Sequence, residues 1–178
     1  MKSRWILAAL VVVAGVVIGA GNVLATPSTG QTTTILAKAT IPDLDLSGRM
    51  ETTVIGPKGK PRPGLWTARI KTRGSSDAYV VDNKFAANGG TSGWHSHPGP
   101  SIVFVVAGTI TNYMSDDPSC SPHAYAAGQS FVDPGGDDAH MLRNEDPTVV
   151  AETIAVQLIP EAATRRIDVP AAPAGCPA

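Results

Sequence analysis

Three of the chain's four histidines stand in two short glycine-rich stretches, and they have the most chemistry to offer. The first stretch, residues 89–108, reads Gly-Gly-Thr-Ser-Gly-Trp-His-Ser-His-Pro-Gly-Pro-Ser-Ile-Val-Phe-Val-Val-Ala-Gly. His95 and His97 are two apart, so on a strand both imidazoles face one side, within ~7 Å of each other, while Ser96 faces the other. Such a pair can share a divalent ion without any chain reversal. The second stretch, residues 128–144, reads Gly-Gln-Ser-Phe-Val-Asp-Pro-Gly-Gly-Asp-Asp-Ala-His-Met-Leu-Arg-Asn and places His140 behind a Pro/Gly turn, ahead of a strand-like run. The fourth histidine, His123, lies in a Pro/Ser-rich segment beside Cys120 and reads as a solvated loop residue. No Ser-His-Asp pattern, phosphate-cradling loop or catalytic carboxylate pair is visible, so any chemistry must come from a bound ion and its open positions.

The elements that must position these rings read as strands. The chain has 178 residues, 18 of them Gly and 15 Pro, too many helix breakers for a bundle. With 14 basic against 15 acidic residues it lacks the footprint of a nucleic-acid binder. Val/Ile/Thr/aromatic runs bounded by turn residues predict strands over 33–41, 65–71, 78–85, 102–107, 109–114 and 148–159, with a turn-dense connector at 56–64. Many short strands and no sustained 3.6-residue period indicate an all-β sandwich or small barrel. Phe104, between Val103 and Val105, reads as core, and Trp94 as packing outside the barrel beside Ser96.

The ends of the chain carry a different message. Lys2 and Arg4 precede an uncharged apolar run over 5–20, and Val23-Leu24-Ala25 supplies small residues for signal-peptidase cleavage. Residues 1–25 are therefore a signal peptide cleaved after Ala25 or an uncleaved N-terminal anchor, and either way the remainder is exported, to a secreted or extracytoplasmic location. In an oxidising compartment Cys120 and Cys176 read as a disulfide pinning the Pro/Ala-rich tail, 170–178, with two free thiols as the alternative. The chain divides into the segment 1–25, an arm with an edge strand over 26–64, a barrel over 65–160 and a tail over 161–178.

At this point the sequence resembles the cupin superfamily. That family's first motif is Gly, five residues, His-x-His, three or four residues, Glu, six residues, Gly. Gly89, His95, His97, Ser101 in the Glu slot and Gly108 reproduce the spacing. The second motif is matched by Gly128, Pro134, Gly136, His140 and Asn144, with three residues (Asp137, Asp138, Ala139) where the family has two. The resemblance implies a single jelly-roll-like β-barrel whose interior carries a divalent metal on His95, His97 and His140. Gly89, Gly108, Gly128 and Gly136 would then be turn positions of positive φ. Asn144 would tie a strand end, and Phe131 and Met141 would line the cavity or pack in the core. The family's Glu is absent, since a Ser101 hydroxyl is a poor ligand. Asp137 and Asp138, as turn residues, are expected to face solvent.

Three neutral imidazoles leave a dication with its full charge, which suits Zn, Fe, Mn, Cu or Ni and favours anionic or chelating small molecules. The leading expectation is an exported metal-binding cupin whose reaction is unassigned. The alternatives are a metal-dependent dioxygenase-type oxidoreductase acting on a small chelating substrate, and a metal-free small-molecule-binding or structural barrel. Among partners, a small-molecule ligand is admitted and nucleic acid is excluded. A membrane enters only through residues 1–25, and an edge strand at 33–41 allows a homodimer.

Overall fold

The computed structural model describes residues 26–178; the expected signal or anchor, 1–25, lies outside the described residues. Twelve strands follow in order: β1 (Gln31–Ile41), β2 (Asp45–Ile55), β3 (Pro61–Lys71), β4 (Ser76–Phe85), β5 (His95–Ser96), β6 (Ser101–Ala107), β7 (Thr109–Met114), β8 (His123–Ala126), β9 (Ser130–Asp133), β10 (His140–Arg143), β11 (Ala151–Pro160) and β12 (Ile167–Asp168). One five-stranded sheet runs β1-β4-β11-β6-β9 and a second runs β12-β5-β10-β7-β8. All of their pairings are antiparallel, and the two together form the expected jelly-roll-like barrel.

The alternation of side chains decides what faces the interior. On β11, Ala151, Thr153, Ala155, Gln157 and Ile159 are buried, and on β6, Ser101, Val103 and Val105 are. Because successive strand residues face opposite sides, Phe104 must point outward. It is 44% exposed, which corrects its reading as core. The barrel core joins Tyr79, Val81 and Phe85 of β4 to Val103 and Val105, with Ile110, Phe131 and Leu142 closing it from β7, β9 and β10.

Two segments sit differently from the sequence expectation. The run 65–71, assigned to the barrel, belongs to β3, which pairs along its whole length with β2 as a separate two-stranded hairpin. The Pro/Gly connector supplies the hairpin turn, closed by Gly56 and Lys60. β2 went unread because Gly48 and Thr52 interrupt the face that carries Leu46, Met50 and Val54. Conversely β1, assigned to the arm, pairs with β4 and forms the outer strand of a barrel sheet.

Asp77 ties three elements together: its carboxylate accepts from the Thr40 hydroxyl at 2.7 Å and the Ala162 amide at 3.1 Å, and pairs with the Lys38 ammonium at 2.9 Å. The Thr40 hydroxyl and the Lys38 ammonium hold its carboxyl below the usual carboxylate range, and the same contact raises Lys38. Outside the barrel, Trp94, Cys120, Ala139 and Met141 form a second buried cluster, packed against Tyr113, Val169, Ala172 and Cys176. The Cys120–Cys176 disulfide closes it, with Cα atoms 5.3 Å apart, so neither thiol is free.

Two stability predictions follow from these contacts. In the chain-entropy account, cross-linking over 56 residues contributes roughly 4 kcal/mol. Cys120→Ser with Cys176→Ser should therefore lower the melting temperature by roughly 10 °C, measured by circular dichroism under non-reducing conditions. A carboxylate whose pKa is depressed on folding contributes stability above its unfolded pKa of ~3.9, which is lost as pH falls through the folded value. Asp77→Asn should thus melt below the parent at pH 7, and the gap should close progressively below about pH 4.

Candidate metal centre

Each of the three rings arrives from a different backbone setting. β5 is only two residues long, yet it is held on both sides: His95 lies directly opposite His140 of β10 and opposite Asp168 of β12. His97 follows β5, its carbonyl accepting from the Gly136 amide at 2.7 Å. β10 is held in register by β7, from His140 opposite Met114 to Arg143 opposite Thr111. The extra residue in the second motif is absorbed by the turn ahead of β10, where Asp137 and Asp138 are exposed as expected. The insertion therefore leaves His140 aimed inward.

The motif glycines and Asn144 make this geometry. Gly89, Gly108, Gly128 and Gly136 all have positive φ. At Gly108 a side chain would also strike the Val150 carbonyl, since an added Cβ would lie 2.6 Å from that oxygen. Asn144 is fully buried; its amide donates to the carbonyls of Phe85, Ala86 and Val149, and its oxygen accepts from the Asp146 amide. It thereby fastens the ends of β4 and β10 and the start of β11. Pro134 is an exposed turn residue between β9 and β10.

The three rings converge inside the barrel. Their centroids are 4.8 Å (His95–His97), 4.5 Å (His95–His140) and 5.6 Å (His97–His140) apart. One nitrogen from each lies within 4.8 Å of the others, and all three residues are buried. Nδ1 of His95 contacts the Gly93 carbonyl at 2.9 Å and Nδ1 of His97 the Arg165 carbonyl at 2.7 Å. A carbonyl only accepts, so each Nδ1 carries the proton and each Nε2 keeps its lone pair. Neither nitrogen of His140 has a partner, although both are sealed from solvent. Burial, the dominant cause, pushes all three rings down, His140 to about 4, despite the opposing pull of the Asp133 charge on His97 and His140. The rings are therefore neutral at pH 7, the form a metal requires.

This donor set fits a divalent ion. Carbonyl partners on the far nitrogens of His95 and His97 are the usual means of orienting ligating imidazoles. The unpartnered nitrogens of His140 have no protein group to satisfy them. The rings open into a cavity of about 280 Å³ lined also by Ser101, Gln157, Arg165 and Arg166. Ser101, in the Glu slot, accepts from the Gln157 amide at 2.9 Å, and the Gln157 oxygen accepts from Arg165 at 3.0 Å. Arg166 is matched by Asp168 at 2.6 Å and donates to the Ser92 carbonyl. Burial lowers Arg165 from its ordinary value, with the Arg166 charge adding to the effect.

Other residues singled out from sequence lie elsewhere. Phe131 packs in the barrel core, beside the Tyr125 ring, and Met141 in the outer cluster with Trp94, so neither is among the cavity-lining residues. Their positions follow from strand alternation: Met141 neighbours inward-facing His140 and so must face out. His123 is exposed as expected, but it opens strand β8 opposite Asn112 of β7, which corrects its reading as a loop residue. Sequence reasoning overlooked Arg165, Arg166 and Gln157, and also Asp133, a buried carboxylate beside the rings. The available signal was inward alternation for Gln157 and Asp133; nothing local marks the two arginines.

Residues 84–156 match the cupin domain family. The jelly-roll sheets and the inward-facing motif histidines agree with that match. Among solved structures the chain is similar to a cupin superfamily protein from Desulfitobacterium hafniense (11% identity, 46% of this chain and 67% of that one, TM-score 0.39). A cupin-like protein from Thermotoga maritima matches at 20% identity over 52% of this chain and 64% of that one, with a TM-score of 0.43. KdgF from a Halomonas species matches at 16% identity over 71% and 78%, with a TM-score of 0.40. The chain spans about two thirds of the length of the first two. No curated protein matches it.

Proposed function

We propose that this chain is an exported cupin-fold protein that binds one divalent metal ion through His95, His97 and His140 and presents it to a small anionic molecule. The observation that carries this reading is the set of three buried, neutral imidazoles with ligand nitrogens within 4.8 Å of one another, one ring having no other partner at all. Zn, Fe, Mn, Cu and Ni all suit imidazole donors. Such an ion, when bound, supplies Lewis acidity and open coordination positions.

The rest belongs to the chain's own residues. His95 and His97 are oriented by their carbonyl partners, and all three rings are buried. Among the described residues Arg165 has no carboxylate within 4.0 Å, so its guanidinium, half-buried at the cavity, is available to a ligand anion. Export is supported by the disulfide and by the charge and hydropathy pattern of 1–25. Homodimer formation is supported by β1, which among the described residues pairs only with β4 and leaves its other edge open.

Elemental analysis checks the metal reading: the purified protein should hold about one equivalent of divalent metal, and His95→Ala with His140→Ala should hold none while keeping a β-type circular dichroism spectrum. Equal metal in both would overturn the ligand assignment. Sedimentation equilibrium should give twice the chain mass, and a proline at Thr34, on β1, should shift the protein toward monomer.

A further inference from the structure

Asp133 has no place in the family's metal-binding pattern, yet it stands beside the rings. It ends β9 and is 5% exposed. Its Oδ1 accepts from the Gly135 amide at 3.0 Å, which fixes the carboxylate plane. Its Oδ2 is sealed from solvent and has no hydrogen-bond partner. That oxygen faces Nε2 of His140 at 3.7 Å and Nε2 of His97 at 3.9 Å. Both gaps exceed a hydrogen bond.

The gaps have another meaning. Two donors bound to one ion at ~2.1 Å stand about 3.0 Å apart at a right angle and about 3.4 Å apart in a tetrahedron. Separations of 3.7 and 3.9 Å are a few tenths of an ångström wider than the tetrahedral spacing, so small movements bring the carboxylate and the rings of His97 and His140 onto one ion. Burying an unpartnered carboxylate oxygen is costly unless a cation meets it.

Strand register explains how the carboxylate arrives there. Ser101 of β6 and Asp133 of β9 are direct cross-strand partners, so both side chains stand on the inner face. Ser101 occupies the slot where the family has its Glu, and its hydroxyl is already engaged by Gln157. We propose that Asp133 is the fourth protein ligand of the ion held by His95, His97 and His140, its carboxylate delivered from the strand next to the slot that Ser101 fills. This rests on the metal-binding reading above and adds a donor to it. The bound dication then keeps one net positive charge, and the ligand set is three nitrogens and one carboxylate oxygen.

Calorimetric titration with Zn²⁺ at pH 7, on the metal-stripped full chain, tests the two readings separately. Asp133→Asn should raise the dissociation constant at least about tenfold, the loss that removing even an outer partner of a ligand causes. His140→Ala should abolish binding. Near-ultraviolet circular dichroism should be unchanged in Asp133→Asn. In the parent protein labelled with ¹³C-aspartate, the Zn²⁺-minus-apo infrared difference spectrum should show one carboxylate's stretching bands shifted. This second measurement needs no variant and decides the matter if Asp133→Asn fails to fold. Unmoved bands overturn ligation by Asp133, as does parental affinity in Asp133→Asn when His140→Ala has lost binding; both leave the three-histidine reading standing. Parental affinity in His140→Ala overturns both.

Discussion

A buried polar atom without a partner costs roughly 1–3 kcal/mol, and this barrel keeps three of them together: both nitrogens of His140 and one oxygen of Asp133. Several polar residues around them do find partners. Asn144 donates and accepts at both ends of its amide, and Ser101, Gln157 and Arg165 satisfy one another in a row. Four other buried polar atoms lack a partner, one each on Asp82, Asn112, Arg143 and Thr153, but only here do three stand together, where the nitrogens of three neutral rings converge.

Holding that arrangement falls largely to Thr26 and to the tail after β11. β5 has two residues and could not fix His95 and His97 by its own ladder. Thr26 accepts the Trp94 amide on its hydroxyl, Val169 donates to the Trp94 carbonyl, and the Trp94 indole donates to the Pro177 carbonyl. Arg165 presents its backbone carbonyl to His97 and its side chain to the cavity. The Cys120–Cys176 disulfide fastens this tail beneath Tyr113 and Met141. The covalent link lies outside the barrel, yet what it immobilises is the segment that backs two of the three rings. Stability at the tail and order at the rings are therefore coupled.

The long barrel strands β1, β4, β6, β7 and β11 and the histidines were legible because their signals are local, whereas the short strands β5, β8, β9 and β12 were not. A His-x-His pair, a glycine whose φ must be positive, and a β-branched run such as 109–114 each occupy a few consecutive residues. The hairpin partner β2 was not legible, because Gly48 and Thr52 interrupt the face that carries Leu46, Met50 and Val54, so no period-2 apolar pattern is sustained. Phe104 was misread by composition when its alternation with Val103 and Val105 already placed it outside. Arg165 and Arg166 reach the cavity only because the chain returns past β5 after β11, a long-range consequence of topology that no short window contains.

Asp133 shows most clearly where reading along the chain stops. A spacing motif registers how many residues separate two positions, whereas an ion responds only to the distance between donor atoms. Antiparallel pairing brings Ser101 and Asp133 side by side although 32 positions separate them in sequence, and cross-strand partners have Cβ atoms about 5 Å apart. A donor lost from one strand can be recovered from the next within that displacement, provided the substitute faces inward. Asp137 and Asp138 lie closer to His140 in sequence than Asp133 does, yet their turn sends them to solvent. What selects the carboxylate is the inner face of the sheet, and the loss of the family's Glu from its slot does not by itself leave the rings without an acidic neighbour.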